Sequence, residues 1–286
     1  MTDVLSWPAP AKLNLFLHIT GRRDDGYHEL QTVFQLLDVG DELYFDIVDG
    51  GEVARINDIE GVPAEEDLVV RAAKLLQSHV QCPYGVRIRL DKHLPMGGGL
   101  GGGSSDAATT LVALNRLWQL QLPVQELLDL AVQLGADVPV FVKGHSAWAE
   151  GVGEQLEPIG LVEYWGERHY LVITPSCHIN TSEIFSLPEL TRNCPRITIA
   201  GFFRGVGVNV FESVVARHYP AVLEALAWLS AYGKPRMTGT GASVFVNFDD
   251  AVSAQQVLAK MPSKWRGFIA KGVDVSPLVE RSRSPA

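Results

Sequence analysis

A chain of 286 residues, 47% hydrophobic and 20% charged, is long enough for one or two domains with a full core. A net charge of −9 argues against nonspecific binding to nucleic acid or to an anionic membrane, although a local basic patch could still meet phosphates. No run of about 18 apolar residues occurs, and the N-terminus has no basic region leading into an apolar stretch. Neither a membrane span nor a signal peptide is expected, and Cys82, Cys177 and Cys194, without metal-ligand spacing, read as reduced thiols of a cytoplasmic protein.

Lys12 to Ile19 alternates in part and reads as a strand; residues 21–26 form a turn. Two further strands are expected at Glu29–Leu37 and Asp41–Val48, then a helix over Asp67–Val80 with Asp67 as its cap, then a strand at Gly85–Leu90. Helices follow at 104–118 and at Val124–Leu134, the second broken by Gly135-Ala-Asp-Val-Pro139 before a short buried segment, Val138–Val142. Ala147 to Leu156 carries a turn at Glu150–Glu154, and a domain boundary is placed near Glu157, giving domains of 1–157 and 158–286.

In the second half, a strand is expected at Tyr170–Thr174, helices at Glu212–His218 and Ala221–Tyr232, and a glycine-rich turn at Met237–Ala242. Strand Ser243–Phe248, helix Ala251–Met261 and strand Gly267–Ala270 follow, a split β-α-β pattern of the ferredoxin kind. The tail Arg281–Ala286 reads as disordered.

The most informative segment is Leu94-Pro-Met-Gly-Gly-Gly-Leu-Gly-Gly-Gly-Ser-Ser105, with six glycines in the seven positions from Gly97 to Gly103. Without Cβ atoms the backbone can take positive φ and approach a ligand closely. The loop runs straight into an Ala/Leu helix, whose N-terminal N–H groups and dipole favour phosphate. No Lys follows the glycines, so the Walker pattern is absent. Gly97-x-Gly99-x-x-Gly102 matches a dinucleotide fingerprint formally, but a helix stands where the next strand of a Rossmann unit belongs.

Three more segments accompany this loop: Pro10-Ala-Lys12-Leu-Asn14-Leu with Arg23-Asp-Asp-Gly-Tyr27-His28, then Gly135-Ala-Asp137-Val-Pro139, then Thr238-Gly-Thr-Gly-Ala242. In this order the set resembles the GHMP family of small-molecule kinases over nearly the whole chain. The resemblance implies an α+β, two-domain fold: an N-terminal domain like domain 2 of ribosomal protein S5 and a ferredoxin-like C-terminal domain. It implies ATP and Mg²⁺, and a small-molecule acceptor with neither nucleic acid nor membrane as partner, in a monomer or weak homodimer. Within the family, the segments are closest to the branch acting on a cytidyl-diphospho-methylerythritol, at its 2-hydroxyl, in non-mevalonate isoprenoid synthesis.

By this resemblance, Pro95, Met96, Gly97, Gly98, Gly99, Leu100, Gly101, Gly102, Gly103, Ser104 and Ser105 hold the ATP phosphates. The serines could equally cap the helix, and Asp106 reads as a cap. Asp137 becomes the catalytic base and Lys12 its charge partner, although from the residues alone they read as a turn residue and a strand-end lysine. Asn14 shares the strand face of Lys12 and could contact the acceptor. Tyr27 and His28 are assigned the cytosine, Phe185 its other face and Thr181 the acceptor, with Gly239 and Gly241 in a third loop. Lys92 is the only mark of an adenine pocket, and protein ligands of the metal stay unassigned. The competing readings are another GHMP kinase, of homoserine or mevalonate type, an NAD-dependent oxidoreductase, or a nonenzymatic ATP-binding regulator.

Overall fold

The computed structural model describes residues 6–24 and 26–284. Its strands are β1 (Trp7–Arg22), β2 (His28–Val48), β3 (Val53–Arg55), β4 (Gly85–Asp91), β5 (Ala147–Glu150), β6 (Gln155–Pro158), β7 (His169–Thr174), β8 (Arg236–Met237), β9 (Val244–Phe248) and β10 (Arg266–Val273). Its helices are α1 (Leu68–Val80), α2 (Gly102–Leu117), α3 (Val124–Leu134), α4 (Val138–Lys143), α5 (Leu161–Trp165), α6 (Thr181–Ser186), α7 (Ile199–Phe203), α8 (Glu212–His218), α9 (Pro220–Leu229), α10 (Ala251–Leu258) and α11 (Pro277–Arg283).

The strands join in one sheet along β3-β4-β2-β10-β7-β9-β8, with β1 and the β5–β6 hairpin attached to β2. The two parts of this sheet join at the end of β10, where Gly272 and Val273 pair with Leu37 and Leu36 of β2. Ser146 Oγ donates to Val273 O at 2.7 Å and accepts from Leu36 N, tying the β5 start to the same junction.

β1 runs through all three cores. Trp7 and Ala9 lie in the cluster under α1–α4, Ala11, Leu13 and Leu15 in the central cluster against Tyr170 and Phe245, and Leu17 and Ile19 in the cluster with α8 and α9. A strand buried on both faces needs its polar residues to be used, and Lys12 and Asn14 are buried within it.

The expected strands Glu29–Leu37 and Asp41–Val48 are one strand. Gly40 makes the continuity possible, since a Cβ there would stand 2.0 Å from Ala9 O. Asp67 caps α1 as expected, its side chain accepting from Val69 N. α2 starts two residues earlier than the polar residues suggest. Its cap is Gly101, at φ +73°, with no side-chain bond. Ser104, Ser105 and Asp106 are therefore inside the first turns rather than caps.

The tail is also ordered further than expected. α11 continues to Arg283 because Leu278 is buried in the first core and the Arg281 guanidinium lies 4.7 Å over the Trp7 ring. Pro285 and Ala286 lie outside the described residues. All three cysteines are free thiols, and burial pushes Cys177 and Cys194 up from the usual thiol range. Among the described residues no helix is long and apolar enough to cross a membrane.

Candidate active site

The glycine run is a ridge with a hollow on each side. On one side is a cleft of about 680 Å³ lined by Lys12, Asn14, Asp137, Thr181, Phe185 and the loop 239–241. On the other is a hollow of about 380 Å³ lined by Lys92, Asp106, Leu68 and the run from Pro95 to Ser104. Gly97, Gly99, Gly101 and Ser104 face both. An extended ligand with a polyanionic middle can therefore lie across the ridge with one end in each hollow.

Close packing explains why the ridge is glycine. At Gly99, φ is +75° and a Cβ would sit 2.3 Å from Thr238 O. Thr238 Oγ1 donates to Gly99 O at 3.2 Å, and Ser243 N donates to Gly98 O at 3.1 Å. The glycine run and the turn after β8 are thus hydrogen-bonded backbone to backbone, although they are far apart in sequence.

Lys12 and Asp137 meet at the foot of the ridge. Lys12 Nζ, 3% exposed, is 3.2 Å from Asp137 Oδ2, whose side chain is 34% exposed. Asp137 stands before α4 yet makes no cap bond, so its carboxylate is turned to the cleft. The Lys12 ammonium also donates to Asn14 Oδ1 at 2.6 Å, and Lys12 N donates to Leu100 O. Asn14 is held on three further sides: Oδ1 accepts a second bond from Gly239 N, Nδ2 donates to Thr32 Oγ1, and Asn14 N donates to Thr238 Oγ1.

Behind the second hollow is a charge cluster. Lys92 Nζ bridges Asp41 Oδ2 and Asp106 Oδ2, at 2.5 and 2.8 Å. Asp41 Oδ1 accepts from His93 N and Leu94 N, fixing the entry to the loop. One ammonium serves two buried carboxylates. Burial, against the pull of Lys92, pushes Asp106 up to about 8, with the Asp41 charge adding to it. Asp106 Oδ1 and Ser105 Oγ have no partner among the described residues.

The sequence-predicted residues divide. Lys12, Asn14, Asp137, Ser104, Thr181, Phe185, Gly239 and Gly241 share the larger cleft. Thr181 Oγ1 lies 2.9 Å from Thr240 Oγ1, closing one side of it. His28 lies against Phe185, ring centroids 5.0 Å apart and tilted by 34°, while Phe185 packs edge-on to Phe211. His28 Nε2 is buried without a partner among the described residues, and burial with the Arg192 and Arg22 charges holds the ring below its ordinary value. Tyr27 is 66% exposed and lines a separate hollow with Arg23 and Pro139. Ser105 is buried in the first turn of α2 and faces neither side of the ridge. Sequence reasoning missed Thr32, Asp41, Asn209 and Thr238 Oγ1. For Thr32, Asp41 and Thr238 the one signal is a polar side chain inside or beside an apolar strand; Asn209, between α7 and α8, is a lone amide in an apolar stretch.

The chain belongs to the GHMP kinases: the model of the GHMP kinase N-terminal domain matches residues 67–145 and that of the C-terminal domain residues 192–267. It is therefore an ATP-using kinase, and the oxidoreductase reading falls. It is 56% identical over 277 residues to the 4-diphosphocytidyl-2-C-methyl-D-erythritol kinase of Nitrosococcus oceani, covering 97% of this chain and 98% of that one. The enzyme of the same name from Thiobacillus denitrificans is 54% identical over 275 residues, covering 96% of this chain and 98% of that one. A crystal structure of 4-(cytidine 5'-diphospho)-2C-methyl-D-erythritol kinase superposes with a TM-score of 0.80 at 32% identity, over 94% of this chain and 99% of that one. The Methanococcus jannaschii mevalonate kinase, with a TM-score of 0.70 over 95% of this chain and 99% of that one, is 14% identical and shows the fold alone.

Proposed function

We propose that the chain transfers the γ-phosphoryl group of ATP to the 2-hydroxyl of 4-diphosphocytidyl-2-C-methyl-D-erythritol. The observation that carries this reading is the Lys12–Asp137 pair standing in the acceptor cleft at the foot of a glycine ridge. The nucleoside of ATP occupies the hollow beside Lys92, and its phosphates cross the ridge over the N-terminal N–H groups of α2. Asp137 accepts the hydroxyl proton as the oxygen attacks the γ-phosphorus and the bond to the β-phosphate oxygen breaks, releasing ADP. The Lys12 ammonium stands where charge develops on the transferring group.

Mg²⁺ fits this donor set sparsely. The described residues contain no group of three or more His, Cys, Asp or Glu able to hold a metal. Mg²⁺ usually keeps waters and uses one or two carboxylates together with substrate phosphates. The Ser104 hydroxyl, which faces both hollows, would take part together with the substrate phosphates, and the ion would supply neutralising charge on them. His28 and Phe185 form the cytosine site: Nε2, without a partner among the described residues, offers a polar atom for a base edge, and Phe185 offers a ring face. Tyr27 approaches from the adjoining hollow.

The test is an ATP-consumption assay with Mg²⁺ in which the cytidyl acceptor is compared with homoserine, mevalonate and galactose. Turnover with the cytidyl acceptor alone is expected. Turnover with another acceptor would remove the cytosine site and leave a kinase of different specificity.

A further inference from the structure

We propose that Asn209 is a positioning residue for phosphoryl transfer. It acts across the interior on Lys12 without touching the cleft. The proposal rests on the phosphoryl-transfer reading of Lys12 and Asp137 given above.

Asn209, in the connection between α7 and α8, is buried and is absent from the lining of the large cleft. Every function of its amide is used. Oδ1 accepts from Phe211 N at 3.0 Å, and Nδ2 donates to Met237 O and to Gly239 O, each at 2.8 Å. Gly239, at φ +56° in a turn that no side chain of its own can anchor, is therefore held at its carbonyl by Asn209. Its N–H is held by Asn14 Oδ1 at 3.1 Å.

The donors and acceptors then permit one orientation of Asn14. Thr32 Oγ1 donates to Phe16 O, so it can only accept from Asn14, which fixes Nδ2 on that side. Oδ1 is left facing the two donors Gly239 N and Lys12 Nζ. The path from Asn209 to Gly239, Asn14, Lys12 and Asp137 is a continuous series of hydrogen bonds ending in the ion pair. Removing Asn209 leaves the Met237 and Gly239 carbonyls short of a donor and loosens the turn whose Gly239 N–H is one of the two donors to Asn14 Oδ1. The Lys12 ammonium loses a fixed partner, and misplacing a catalytic group by a fraction of an ångström costs rate rather than affinity.

The test measures kcat, the KM for ATP and the KM for the cytidyl acceptor in wild-type protein, Asn209→Ala, Asn209→Asp, Asn14→Ala and the Asn209→Ala/Asn14→Ala pair, with melting temperatures throughout. Asn209→Asp keeps the acceptor for Phe211 N and loses both donations, so it tests the hold on the loop with the start of α8 preserved. Both Asn209 variants are expected to lower kcat about 10- to 100-fold, with the KM for ATP within about threefold of wild type. In the Asn14→Ala background the Asn209→Ala change is expected to alter kcat less than about threefold, because the path is already cut. An unchanged kcat, effects that multiply in the double variant, or loss of both Asn209 variants to unfolding would overturn the inference alone. Wild-type protein that consumes no ATP with this acceptor would instead overturn the activity reading beneath it.

Discussion

The Lys12 ammonium is buried and the Asp137 carboxylate, 3.2 Å away, is one-third exposed. The asymmetry lets the carboxylate meet an acceptor hydroxyl while the ammonium stays fixed below it. Asp137→Asn is expected to lower kcat by about 10²- to 10⁴-fold with little change in the KM for ATP. Steady-state kinetics with both substrates varied will check this; an unchanged kcat would remove Asp137 from the chemistry.

Lys12→Met keeps most of the side-chain volume and removes a buried charge. Desolvating an ammonium costs free energy that an apolar side chain avoids, and Asp137 stays solvated without its partner. The melting temperature is expected to hold or rise while kcat collapses. A large drop in melting temperature would make Lys12 a structural residue.

Gly99→Ala tests the contact between the two glycine-rich turns. Its Cβ would meet Thr238 O at 2.3 Å and its φ of +75° would be strained. A loss of about 2 kcal/mol in stability and at least about tenfold in ATP affinity is expected. Gly61→Ala is the control: its φ is also positive, at +75°, but a Cβ there meets nothing within 4 Å. Its effect should be confined to about 1 kcal/mol of stability. Urea melts and nucleotide titrations of the two variants separate strain from contact.

The Asp106–Lys92–Asp41 cluster makes stability depend on pH. The folded-state value of Asp106, about 8, lies above its ordinary 3.8. The folded protein therefore binds more protons than the unfolded chain between these values, and this group's contribution declines as pH rises through that window. Asp106→Asn keeps the amide in place of the protonated carboxyl and leaves Lys92 paired with Asp41. The variant is expected to match wild type near pH 4 and to exceed it in melting temperature above pH 8. Equal pH profiles for the two would refute the assignment.

His28 is held below its ordinary value by burial and by the Arg192 and Arg22 charges. If its neutral ring meets the cytosine, acceptor binding weakens as pH falls through that lowered value, while ATP binding does not follow. Phe185→Ala is expected to raise the KM for the cytidyl acceptor about tenfold or more, through loss of ring contact, with the KM for ATP unchanged. A pH series of both KM values distinguishes a base site from a general loss of fold.

The parts of the site legible in the sequence are those whose backbone makes a local demand. A run of glycines before an Ala/Leu helix announces a close phosphate approach. Asp67 before an amphipathic run announces a cap, and its side chain accepts from Val69 N as expected, whereas α2 opens two residues earlier than its polar residues suggest. Asp137 is visible only as a carboxylate in a break between apolar segments. That Asp106 is a buried partner of Lys92 rather than a cap is not legible, because Lys92 lies 14 residues from it and the second carboxylate, Asp41, 51 residues from Lys92.

The sequence by itself determined the family, the kinase chemistry and most of the helices and strands. The family and its chemistry follow from the resemblance of motifs that each occupy a few consecutive positions, and the helices and strands from periodicity and turn residues. Only the tertiary structure decided that β1 is buried through three cores, that one glycine run separates two hollows, and that Asn14 is locked by Thr238 across 224 positions of chain. A hydrogen bond between residues so distant leaves no local pattern. It exists because the junction of β10 with β2 brings the β8–β9 turn onto the glycine ridge, and Lys12 is fixed by whatever that packing presents to it.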